Sequence, residues 1–132
     1  MKDIQYWFGW FIIMLPIHLG EQFLYGIDEL YEMQRFSAVF HSWFQNPDYG
    51  TVTLVGIITL MVVSMIYAVL IGGRWRLLVF GFFSLVGIGE MHHIIKTIAH
   101  KQYFPGTVTA IPFVAVGVML LRAVIREWRA TS

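Results

Sequence analysis

Between Tyr49 and Gly73 the chain runs without a single Asp, Glu, Lys, Arg or His, and Gln102 to Leu121 does the same. A helix needs about 20 mostly apolar residues to cross a bilayer core, so each run is long enough to do so. With 58% hydrophobic and 13% charged residues over 132 positions, the chain lacks the polar surface that would solubilise a domain of this size. Inside hydrocarbon only helices and closed barrels satisfy their own backbone groups. The sequence therefore predicts an all-α integral membrane four-helix bundle, a single domain over residues 1–132 with spans at about 4–25, 50–73, 75–95 and 103–123.

The other two spans are interrupted. The first carries His18 and Glu21, and the third carries Glu90, His92 and His93. Pro16 is a candidate kink in the first, tolerated in membrane helices where neighbours satisfy the freed carbonyl. Lys2 followed by an apolar run is how a signal peptide opens, but no small-x-small cleavage pattern follows, so the run is read as a retained helix. From Ile27 to Asp48 the chain is more polar, and Leu30, Met33, Phe36, Phe40, Trp43 and Phe44 recur at helical spacing. That pattern fits an interfacial amphipathic segment between the first two spans, or a structured loop packed on the bundle.

Charge and cysteine usage remove several function classes. A net charge of +1 and no basic run with interleaved aromatics leave nothing to hold nucleic acid. The absence of cysteine excludes disulfides, thiolate metal sites and iron–sulfur clusters. Lys2, Arg74, Arg76, Arg122, Arg126 and Arg129 would lie on one side of four spans and Arg35, Lys96 and Lys101 on the other. This asymmetry predicts both termini inside the cell, with a bacterial inner membrane as the expected location. Trp7, Trp10, Trp43, Trp75 and Trp128 fall near span ends, where an aromatic belt accounts for them.

Ionisable residues inside a span are costly and mark functional sites. His18 and Glu21 share a face of the first helix at i, i+3, and Glu90 and His93 do so on the third. The two helices run parallel, and at 1.5 Å per residue His18 and Glu90 lie roughly 20 Å into their spans, so His18 levels with Glu90 and Glu21 with His93. Two i, i+3 pairs at one depth form a four-ligand set of His18, Glu21, Glu90 and His93 for a divalent metal, zinc or iron, with manganese also suited. Two carboxylates and two neutral imidazoles sum to minus two, which such an ion cancels. The same residues also suit interhelical polar contacts or a proton relay. His92 points about 100° away from His93, and His41 and His100 are candidates to join from outside.

His18 to Gln22 reads H-L-G-E-Q, and Tyr103 to Ala110 reads Y-F-P-G-T-V-T-A. The first resembles the signature of small four-span membrane proteins named for an H-x-x-E-E motif, and the second is similar to their Pro-Gly-Thr segment. The resemblance covers most of the chain and departs at Gln22, where the motif has a second Glu. It implies weight for His18 and Glu21 and no particular reaction.

The leading functional expectation is an intramembrane metal-dependent hydrolase on a lipid or other apolar substrate at the outer leaflet. In it His18, His93 and one carboxylate hold the ion while the other of Glu21 and Glu90 serves as general base. Iron in the same ligands would suit an oxidoreductase. The alternatives are a small transporter or channel subunit that binds a cation or proton, for which a chain this short would need to form a homo-oligomer, and a non-catalytic accessory subunit.

Overall fold

The computed structural model describes residues 1–25 and 38–131, and among these every regular element is a helix. The helices are α1 (Lys2–Tyr25), α2 (Pro47–Ile71), α3 (Gly73–Gly89), α4 (Met91–His100) and α5 (Thr107–Ala130). The expected amphipathic helix falls largely on residues 26–37, outside the described residues. What is described of that stretch is a helical turn at 38–41, followed by a turn in which Phe40 packs on Phe44 and His41 bonds to Thr51. Asn46 then caps α2 by accepting from the Asp48 amide, with Pro47 in the first turn.

Among the described residues, three stretches are long and apolar enough to cross a membrane: Asp48–Ile71, Gly73–His100 and Thr107–Ala130. They are consistent with a membrane protein. α1 matches them in length at 24 residues, about 36 Å. Its Gln5, His18, Glu21 and Gln22 keep it out of that set.

α5 lies between α1 and the α3–α4 pair, antiparallel to both. At one end Arg126 donates to Asp3 across 2.8 Å and Arg74 donates to the Thr131 carbonyl. Further along, Phe11 packs on Phe113 with ring centroids 4.8 Å apart. The core runs through Ile4, Phe11, Leu77, Phe80, Phe113, Val116, Leu120, Ala123 and Val124. A Cβ at Gly117 would stand 3.0 Å from the Ile88 amide nitrogen and the Ser84 carbonyl oxygen, so the α3–α5 crossing needs a residue without one. α2 contacts chiefly α3, and apart from Gly50 at its start none of its candidate span is buried.

Two local features set the site. α3 and α4 form one path broken at Glu90, where the His93 amide bonds back to the Glu90 carbonyl and tightens the turn. α5 begins at Thr107 rather than near residue 103, because Pro105 disfavours helix in the residue before it and Gly106 adopts φ +90°.

Candidate metal centre

His18 on α1 and His93 on α4 are almost fully buried, at 1% and 2% exposed. The Nε2 of His18 lies 3.1 Å and that of His93 3.3 Å from Oε2 of Glu90. Candidate ligand atoms of these three residues all lie within 4.8 Å of one another. The break at Glu90 lets one turn present both a carboxylate and an imidazole to α1. The side chain of Gln22, one turn beyond His18, closes the group, with its Nε2 3.1 Å from Nε2 of His18 and 3.0 Å from Nε2 of His93. Four ligand atoms around a tetrahedral ion at bond lengths of about 2.0–2.1 Å stand roughly 3.3 Å apart. The two measured edges between ligand atoms, His18 to Glu90 and His93 to Glu90, fall close to that separation, while the Gln22 amide nitrogen stands beside them as a donor.

Phe113, with no exposed surface, lies beneath His18 with ring centroids 5.4 Å apart. Above the imidazoles passes the backbone of Gly106, where a Cβ would stand 3.0 Å from Cε1 of His18 and 3.2 Å from Cε1 of His93. Its positive φ and the absence of a side chain both demand glycine. The Glu90 side chain keeps 22% of its surface exposed, so the group opens on its side.

Glu21 does not join the other three. Its carboxylate turns to the N-terminus of α5, where the capping residue Gly106 has no side chain to offer. There it accepts from the Val108 amide at 3.2 Å, the Thr109 amide at 2.8 Å, the Thr109 hydroxyl at 2.5 Å and the Tyr103 hydroxyl. An anion on exposed N–H groups at a helix start is favourable both as a cap and toward the helix dipole. With four donors on it, Glu21 lies outside the His18–Glu90–His93 group. The residue level with His93 is Gln22, not Glu21. The i, i+3 spacing brought the expected carboxylate to the correct edge of α1 but to a partner on α5, which sequence spacing does not contain.

The single proton of the Thr109 hydroxyl goes to the Glu21 carboxylate, which only accepts, so Thr109 Oγ1 is left to accept from His18 Nδ1 at 2.7 Å. Nε2 is then the ring nitrogen turned toward Glu90. Metal-bound histidines are oriented in this way, with the remote N–H held by a second group that is itself anchored. His18 Nε2 lies 3.1 Å from both the Glu90 carboxylate and the Gln22 amide nitrogen, a position where a cation or an added proton would join the group.

Of the other histidines, His92 is exposed, with Nδ1 3.1 Å from the Gly89 carbonyl oxygen. His100 stacks near Phe104 and His41 bonds to Thr51. None of the three belongs to the His18–Glu90–His93 group among the described residues. Gln22, Thr109 and Gly106 are the site residues that ionisable spacing does not find. Gln22 is signalled only by its i+4 relation to His18, and the other two by the Pro-Gly-Thr segment.

Fold and site together define a helical bundle with a buried His/Glu group, three of its helices long and apolar enough for a membrane. Residues 7–120 match the family described as proteins of unknown function with an HXXEE motif, and the chain belongs to that family. No curated protein and no solved structure matches it.

Proposed function

We propose that the chain is an intramembrane metal-dependent hydrolase that holds one divalent ion, zinc or iron, through His18, His93 and Glu90 and acts on a lipid or other apolar substrate. The observation that carries this reading is the convergence of two imidazole Nε2 atoms on one carboxylate oxygen, at 3.1 and 3.3 Å, in a pocket where both imidazoles are buried. Two histidines and one carboxylate are a ligand set that leaves the ion open to water or substrate. His18, His93 and Glu90 would hold the ion, which would supply a water made acidic enough to serve as nucleophile for hydrolysis of an ester to its acid and alcohol. Glu21 has no direct part in that chemistry and acts as a positioning residue through Thr109 and His18.

The proposal includes a four-span bundle with both termini inside the cell, in a bacterial inner membrane. It is supported by the gathering of Lys2, Arg74, Arg76, Arg122, Arg126 and Arg129 at the end where α1 and α3 begin and α5 ends. His18, seven residues short of the far end of α1, then sits about 10 Å below the outer end of that helix.

The test is turnover in proteoliposomes loaded with fluorogenic lipid esters, compared among wild type, chelator-treated protein and Glu90→Gln. Turnover that disappears in the last two and returns on zinc or iron add-back to chelated wild type supports the hydrolase. Full metal occupancy without turnover of any ester overturns it and favours a cation carrier built on the same residues.

A further inference from the structure

The group formed by His18, His93 and Glu90 has four corners, and the fourth is taken by an amide. Gln22 stands where the family's motif carries its second Glu, with its side-chain nitrogen 3.0 and 3.1 Å from the two imidazoles. A glutamate there would complete two histidines and two carboxylates, whose charge of minus two cancels a divalent ion. Gln22 leaves the sum with a divalent ion at plus one. An uncompensated charge is costly in a low-dielectric interior, and the cost falls when a monoanion joins the ion. In the structure the amide nitrogen faces the two imidazole Nε2 atoms, and an ion that takes their lone pairs would leave its two N–H donors for a ligand beside the ion, the kind of neutral donor that stabilises an oxyanion.

We propose that Gln22 makes the fourth corner a monoanion site, which takes hydroxide formed from water or the carboxylate of an amphiphilic substrate, with the Gln22 N–H groups donating to the bound oxygen. This rests on the metal reading above and goes beyond it by assigning the charge and chemistry of the fourth ligand. The approach runs on the side of Glu90, whose side chain is the exposed member, while the Gly106 backbone and the Phe113 ring close the faces over and under His18. Gln22 acts on the ion's partner and not as a ligand in the resting site.

The experiment uses the full chain in detergent, loaded with Co²⁺, whose visible absorption reports the ligand set. Wild type is expected to bind Co²⁺ and to shift its spectrum on titration with azide. Gln22→Glu is expected to bind Co²⁺ at least about tenfold more tightly and to lose the azide response, because the fourth corner is then filled and the charge cancelled. Gln22→Ala is expected to bind Co²⁺ within a few-fold of wild type and azide more weakly than wild type, since the N–H donors are gone. A shift with laurate as well as azide assigns the corner to a substrate carboxylate, and a shift with azide alone assigns it to hydroxide. Co²⁺ binding by wild type with no azide response, or an azide response unchanged in Gln22→Glu, overturns the Gln22 proposal and leaves the metal reading standing. Failure of wild type to bind Co²⁺ overturns both.

Discussion

The Nδ1–H of His18 donates to Oγ1 of Thr109 across 2.7 Å, and that hydroxyl in turn donates to Glu21. A single threonine on α5 therefore fixes which nitrogen of a histidine on α1 faces Glu90. Thr109→Val keeps the volume and removes the hydroxyl, leaving a buried carboxylate short of one donor and an imidazole free to turn. The expected loss is about 1–3 kcal/mol of stability by thermal or denaturant unfolding in detergent, with metal affinity lower by about tenfold. Thr109→Ser is expected to restore most of both, and equal behaviour of the two variants would show that the hydroxyl carries nothing.

Gly106 predicts a separate effect. A methyl group there meets His18, His93 and the Gln22 side chain, and the backbone sits at φ +90°, where a Cβ costs about 1–3 kcal/mol. Gly106→Ala is expected to lose most bound metal while circular dichroism keeps its helical signal, because the helices do not depend on the loop residue. Full metal occupancy in this variant would contradict the packing of Gly106 over the imidazoles.

The helices were legible because apolar run length dictates them: the stretch 49–73 matches α2 within two residues, while 102–121 finds α5 but misses its ends, which lie five residues later at the start and nine at the finish. The pairing of His18 with Glu90 was legible as well, since two parallel helices with equal rise bring equal depths together. Glu21 was not, because its partner is the bare start of α5, a tertiary neighbour created by Gly106 at the cap. Gln22 carries no charge, and so a search for ionisable residues passes over it although it stands on the same face as His18. The break at Glu90 also escapes apolar run length, which reads about 75–95 as one unbroken span.

Four spans put the α1–α2 connection on the side opposite to both termini. A reporter fused after Ser132 and another inserted near Pro47 are expected to label on opposite sides of the membrane, with the C-terminal one inside the cell. Labelling on the same side would contradict the four-span arrangement, because α2, the α3–α4 pair and α5 separate the two positions, and a third reporter before Lys2, expected on the C-terminal side, reads whether α1 crosses.

The central claim is that the two imidazoles and the Glu90 carboxylate meet around an ion. Elemental analysis of wild-type protein purified without chelator, and again after separate add-back of zinc, iron and manganese, tests it directly alongside His93→Ala and Glu90→Ala. The account predicts about one metal ion per chain in wild type and a loss of most of it in both variants, with helicity retained, because two of the three ligands cannot hold a stable ion alone. Wild type devoid of all three metals after add-back, with the two variants differing from it only in thermal stability, would contradict the account and reduce the group to hydrogen bonds that hold α1 against α4.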